Sequence, residues 1–249
     1  MTRKSQMALP SFGSTLTKFA GAALAAAAFA APAQAGTIGF SADYAMPFGS
    51  GDTWTEAGYK LTFESRHADS FGSAVGSLID SSDPYPCVDM ACPLGGDGMY
   101  YAALNDSIVW LESATQGAQF RFNSLDASFI GAFASLGNYP IISGLLRVQA
   151  WTTDGSYVLQ DLWLDGPGAN GFEWGRYTFG SEFASTNFVQ AALFGFACNA
   201  TGSCSAFTSN QGQFALDNLN LTEVPEPMSA AIFGLGALGL LAAARRRKA

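Results

Sequence analysis

One histidine, four cysteines and a surplus of carboxylates are the side chains through which this chain could do chemistry. His67 is the only imidazole, so any Ser-His-Asp or Cys-His arrangement has to run through it. No G-x-S-x-G elbow accompanies it, and sites that gather several histidines on a metal are excluded by the count alone. Set in "FESRHADS", His67 reads as a surface residue. Two acids can cleave a glycosidic bond if the fold holds them several ångströms apart; Asp161 with Asp165, or Glu173 with Glu182, are the candidate pairs. Acid pairs arise easily in so acidic a chain, and their spacing singles out no member for a raised pKa. The expectation is a protein that is not an enzyme.

The cysteines form two local pairs, Cys87 with Cys92 around "VDMA" and Cys198 with Cys204 around "NATGS". Structural zinc sites usually space the cysteines of a pair two to four residues apart, and in an exported chain an even number of close cysteines favours disulfides. Loops this small contribute only ~2 kcal/mol each by loop entropy, so they shape loops more than they hold the fold. The stretch "IDSSDPYPCVDMACPLGGDGMYY" sets Asp80, Asp83, Asp89 and Asp97 around the first pair, beside Tyr85, Tyr100 and Tyr101. Carboxylates next to aromatic rings suit sugar recognition, rings stacking on C–H faces and carboxylates accepting hydroxyl hydrogen bonds. A solvated loop without a ligand has the same composition. Most of the tryptophans, Trp54, Trp110, Trp151, Trp163 and Trp174, are expected in the core.

Between residues 36 and 222 five basic residues stand against eighteen acidic ones, a net charge of −13 where the whole chain carries −8. Such a body repels nucleic acid and anionic membranes, and its carboxylates could attract Ca²⁺.

These residues need a scaffold, and the pattern between them is that of strands. Apolar residues alternate over short stretches broken by Gly, Asn, Asp and Ser. "TIGFSADY", "YKLTFES", "SIVWLES", "AQFRFNS", "GLLRVQAW", "YVLQDLWL", "RYTFGSEF", "FVQAALFGF" and "GQFALDNLNL" are the predicted strands. In "GLLRVQAW" Leu146, Val148 and Ala150 face inward, with Arg147 and Gln149 outward. Some nine strands with a Phe-rich inner face predict an antiparallel β-sandwich, jelly-roll-like. In the last strand Phe214 and Leu216 share one face, whereas Leu219 and Leu221 require the other. The phase slips at Asp217-Asn218, which predicts a β-bulge there. An acid and an amide at an irregularity could hold a cation or a polar network.

The two ends read differently. Arg3, Lys4 and Lys18 precede an apolar run, "FAGAALAAAAFAA", and Ala33 and Ala35 supply the A-x-A pattern of a signal peptide cut after Ala35. At the other end Pro225, Glu226 and Pro227 break the chain. The uncharged segment 228–244 follows, about 25 Å long as a helix and near the lower limit for a bilayer. Arg245, Arg246, Arg247 and Lys248 then close the sequence and stay cytoplasmic by the positive-inside rule. Gly234, Gly236 and Gly239 spell G-x-G-x-x-G inside this segment, but without the strand and acidic residue that a dinucleotide site needs.

This order of motif, short span and basic cluster resembles the PEP-CTERM sorting signal of Gram-negative bacteria. The resemblance implies recognition by exosortase, removal of the tail, and release to the cell surface or extracellular matrix after a transient stop in the inner membrane. "GQFALDNLNLTEVPEP" further resembles a group named for a QFxxD motif, here Gln213, Phe214 and Asp217. That likeness implies an extracellular jelly-roll-like domain. Its closing strand is also similar to those of carbohydrate-binding jelly rolls, which implies a structural Ca²⁺ at Asp217; Asp43, on the opening strand, is a companion on geometry because first and last strands often pair. No other cofactor is expected. The organisation is therefore a signal peptide over 1–35, a β-sandwich over 36–222 and a sorting tail over 223–249. Signal peptidase and exosortase act during export. The working reading is a non-catalytic surface or biofilm-matrix protein, with a calcium-stabilised carbohydrate-binding module as the alternative and a secreted glycoside-active enzyme as the remote one.

Overall fold

The computed structural model describes residues 35–66, 73–83, 87, 90–93, 95–96, 98–224 and 236. Ala33, His67, Tyr85, Asp89, Asp97, Pro225–Pro227, the apolar tail (Gly236 apart) and the basic cluster lie outside them. Residues 33–224 form one compact unit. Among the described residues no helix is long and apolar enough to cross a membrane.

Sixteen strands are found among the described residues. The first eight are β1 (Ala35–Ile38), β2 (Pro47–Phe48), β3 (Thr53–Glu56), β4 (Tyr59–Ser65), β5 (Gly76–Asp80), β6 (Met90–Ala91), β7 (Met99–Ala103) and β8 (Ser107–Ser113). The rest are β9 (Gln119–Phe129), β10 (Gly131–Ala132), β11 (Ile142–Trp151), β12 (Tyr157–Asp165), β13 (Gly175–Thr178), β14 (Gln190–Cys198), β15 (Cys204–Ser205) and β16 (Phe214–Val224). Two seven-stranded antiparallel sheets result. The first runs β13-β9-β16-β7-β5-β2, with β1 also on β16; the second runs β12-β11-β14-β8-β4-β3, with β15 on β14. The expected all-β antiparallel sandwich is the architecture found. The opening and closing strands do pair, Ala35 with Thr222 through Ile38 with Leu219.

The apolar faces meet between the sheets, where burying each large side chain contributes about 1.5–3 kcal/mol. Phe rings dominate the contact. Phe63 stacks on Tyr101 with centroids 4.3 Å apart, and Phe122 touches Phe179, Phe183 and Phe188. Phe179 and Phe183 belong to "RYTFGSEF", expected as one strand. The chain instead leaves β13 at Thr178 and makes a helical turn, α1 (Ser181–Ser185). That turn brings the two rings, four residues apart, onto one face and into a 5.2 Å stack.

A second, smaller apolar cluster lies on the outer face of the first sheet. Ile79, Tyr100, Ala102, Ile130 and Ala215 are buried there with Cys87. Cys87 is bonded to Cys92 and Cys198 to Cys204, as the spacing predicts. The first disulfide and Met90 of β6 pack in this layer. The "MYYAA" strand is therefore buried on both sides, Tyr100 at 1% exposure and Tyr101 at 0%. Among the described residues the β12 edge of the second sheet's outer face has no such layer over it and carries Tyr157, Leu159 and Trp163 at 57%, 45% and 53% exposure.

The phase slip at Asp217-Asn218 is a bulge. Pairing of β16 with β9 jumps from Asp217↔Asp126 to Asn220↔Ser124, then returns to register at Leu221↔Phe122. Asn218 takes a left-handed φ of 48°, a conformation asparagine tolerates better than most residues. The partner strand slips at the same level: Phe120 and Phe122 face the core, then Leu125, Ala127 and Phe129. Two facing irregularities keep both strands' apolar sets pointed inward beyond the break.

Candidate functional site

The open sheet face is built by alternation. On β4, β8, β11, β12 and β14 every second residue points away from the core, and strand register sets which of these lie side by side. Lys60, Glu112, Gln190, Trp151 and Tyr157 make one row across the sheet. Thr62, Trp110, Ala192, Gln149 and Leu159 make the next. Glu64, Ile108, Phe194, Arg147 and Asp161 make a third.

Trp110 and Trp151 sit on strands separated by β14. The methyl group of Ala192 leaves the space between them free, and the two indoles meet with centroids 5.8 Å apart at 31°. The Trp110 indole N–H donates to Glu64 Oε2 at 2.9 Å, which fixes the ring. Beside them lies a depression of about 340 Å³ lined by Thr62, Glu64, Arg66, Trp110, Glu112 and Gln190. Lys60 donates to Glu112 Oε1 at 2.9 Å. Arg147 holds Asp161 with two bonds of 2.7 Å and lies 4.9 Å over the Phe196 ring; that carboxylate pair raises the guanidinium pKa further above its already high value. Flat rings with anchored carboxylates and amides at their rim form a surface that can stack on an apolar ring face and hydrogen-bond its edges.

This is not where the sequence placed the sugar-binding candidates. Tyr100 and Tyr101 are core residues, and burial pushes both phenols' pKa values up. Asp80 spends its carboxylate on Ser82, accepting from the backbone N–H at 2.8 Å and the hydroxyl at 2.6 Å. That holds its pKa below the usual value. The tryptophans are likewise not core residues: none of the five is fully buried, Trp54 and Trp174 only packing against the edges of the two clusters.

The proposed acid pairs are not assembled as offered. Asp161 is tied to Arg147, and Asp165 lies four residues on, about 13 Å by strand rise. Asp165 and Glu173 instead line one cleft of about 460 Å³ with Trp174 and Tyr177. Glu182 sits on α1.

Asp217 is 4% exposed. Its Oδ1 accepts the Asn218 backbone N–H at 2.7 Å, and the Asn218 side-chain amide reaches Asp126 Oδ2 at 2.9 Å and Asp217 Oδ2 at 3.4 Å. That amide lies between the two carboxylates. Asp43 is exposed and lies beyond β1, which ends at Ile38, so it is not on the opening strand as expected. Among the described residues no group of three or more His, Cys, Asp or Glu side chains could hold a metal. Of the QFxxD residues, Phe214 is a core ring at 0% exposure, Asp217 serves the bulge, and Gln213 donates to Asn210 O at 3.2 Å.

No family model and no curated protein sequence matches this chain. Among solved structures it is similar to a DUF4465 family protein from Bacteroides ovatus, at 8% identity and a TM-score of 0.41, covering 78% of this chain and all of that one. It is also similar to TmCBM61 in complex with beta-1,4-galactotriose, at 6% identity and a TM-score of 0.33 over 68% and 88% of the two chains. A Family 16 Carbohydrate Binding Module-2 follows at 12% and 0.27, over 59% and 84%. At these TM-scores the likenesses carry no weight for ligand or mechanism; the two-sheet sandwich rests on the strand pairing above.

Proposed function

We propose that this chain is an exported, non-catalytic β-sandwich that binds carbohydrate on the open face of its second sheet. One observation carries the proposal: the half-buried Trp110–Trp151 pair stands on the outer face of the second sheet with no layer over it among the described residues, beside a depression rimmed by Glu64, Glu112, Gln190 and Arg66. Pyranose rings present apolar C–H faces and hydroxyl edges, and this surface complements both. Tyr157, opposite Trp151 on β12, extends the aromatic surface to the sheet's edge. From β8 to β12 is three strand spacings, about 14 Å, which suits a chain of sugars better than a single terminal one.

Export is part of the same proposal. Two disulfides belong in an oxidising compartment, and the ends carry the signal peptide and the PEP-CTERM-like tail. Signal peptidase and exosortase would remove these, the inner membrane serving as a transient stop on the way to the matrix. Full-length protein and its Trp110→Ala variant, run through gels containing matrix polysaccharides, test the binding. Retardation of the parent that the variant lacks is expected; identical mobility of both in every gel refutes it. Mass spectrometry of protein recovered from culture matrix tests the export, with Gly36 expected at the mature amino terminus.

A further inference from the structure

We infer that the polysaccharide held on this face bears carboxylates, and that Arg66 selects them. The inference rests on the carbohydrate-binding reading above and adds the ligand's charge to it. Residues 36–222 contain five basic side chains. Four are engaged: Lys60 by Glu112 at 2.9 Å, Arg147 by Asp161 at 2.7 Å, Arg121 by Asn187 at 2.6 Å, and Arg176 by Ser124 at 3.3 Å with Asp126 at 3.8 Å. Arg66 is exposed and has no hydrogen-bond or ion-pair partner among the described residues. It continues the outward phase of Lys60, Thr62 and Glu64 one residue past the end of β4, and it lines the depression with Trp110.

Both carboxylates around it are hydrogen-bonded, one of them to a cation. Glu64 accepts the Trp110 N–H, and Glu112 accepts Lys60. Glu64 keeps its charge beside a neutral donor, and among the described residues lining the depression Arg66 is the one cation, its guanidinium donors unused, in a domain whose net charge is −13. A guanidinium fork fits a carboxylate with two parallel hydrogen bonds. In a uronic acid the carboxylate projects from the ring edge and leaves the C–H faces apolar, so stacking on Trp110 and pairing with Arg66 can occur together. The domain's overall negative field opposes a polyanion at long range. At about 0.15 M salt that field is screened beyond ~8 Å, while a direct contact survives.

Isothermal titration at that salt tests this with a panel of polyuronates, namely polygalacturonate, alginate and hyaluronate, each beside its methyl-esterified form. The esters keep the sugar and remove the charge. The full-length protein is expected to bind at least one polyuronate roughly tenfold tighter than its ester, as one charge-assisted contact implies. Arg66→Gln should bring the two to parity by weakening the polyuronate far more than the ester, and Arg66→Lys should keep part of the preference. Equal affinity of the parent for acid and ester, binding of no polyuronate, or an equal loss of both ligands in Arg66→Gln overturns the inference. Binding of neutral polymers that Trp110→Ala abolishes would still leave the carbohydrate-binding reading standing. A Trp110→Ala variant that binds everything as the parent does would remove that reading instead.

Discussion

Asp106 locks the return segment that ends beside the open face, and its removal gives a magnitude that follows from the coordinates. The residue is 1% exposed. Its Oδ2 accepts the Asn210 backbone N–H at 2.9 Å and its Oδ1 the Gly212 backbone N–H at 2.8 Å, across more than a hundred residues of chain. Gly212 in turn lies flat on Gly195 of β14, where a Cβ on either would meet the other's carbonyl oxygen at 2.6 Å or closer. The same segment carries Phe207, whose ring packs 5.3 Å from Phe194 on the outward face. Hydrogen bonds to a charged acceptor contribute about 1.5–3 kcal/mol each. Asp106 also has a left-handed φ of 49°, which costs alanine roughly 1–2 kcal/mol. We predict that Asp106→Ala lowers unfolding free energy by about 4 kcal/mol, a large share of the 5–15 kcal/mol typical of a domain. Asp106→Asn keeps one acceptor and tolerates the backbone, so about half that loss is expected. Urea unfolding followed by tryptophan fluorescence measures both, with the m-value unchanged. A loss below 1 kcal/mol in Asp106→Ala would refute the reasoning.

Alkali should unfold the protein ahead of simple surface titration. Burial, helped by Glu223, pushes the Tyr59 phenol up to about 12, and burial with Asp165 does the same for Tyr177. Unfolded tyrosines ionise near 10. Below that pH both states are protonated and the stability is complete. Between about 10 and about 12 the unfolded chain releases protons that the folded one keeps, so stability drains away as pH rises through the folded values. A melting temperature flat from pH 9 to 12 would contradict this. Replacing Cys87 and Cys92 together by serine should cost about 2 kcal/mol by loop entropy and loosen the layer over Tyr100 and Trp174, read as a shift in near-ultraviolet dichroism. An unaltered spectrum would mean that this layer does not depend on the bond.

Much of the sandwich was legible because its strands are buried on one side only. "YKLTFES" alternates cleanly and coincides with β4, and "SIVWLES", apolar from Ile108 to Leu111, coincides with β8. "MYYAA" carries no such signal, because burial on both faces erases the alternation that marks a strand. The bulge shows on β16, where four apolar residues change phase, but its counterpart on β9 lies past Phe120 and Phe122, whose alternation alone does not reach it. The open face had a signal too. Trp151 shares its phase with Arg147 and Gln149, and Trp110 shares its phase with Glu112, so both had to point outward. A core placement expected for most tryptophans does not take account of which side of a sheet each one faces. What sequence could not supply is the cross-strand register that brings Trp110 and Trp151 together over Ala192, since these residues come from three separate strands.

The central claim is that Trp110 and Trp151 form the surface on which a sugar chain lies. Titrating full-length protein, Trp110→Ala and Trp151→Ala with a polysaccharide that the parent binds tests it most directly. Ile141→Ala, which removes an 88% exposed apolar side chain that lines the separate cleft of Asp165 and Glu173, serves as the control. Each tryptophan variant should lose at least about tenfold in affinity, as truncation of an aromatic anchor commonly does, while Ile141→Ala binds as the parent. Undiminished affinity in both folded tryptophan variants would contradict the account.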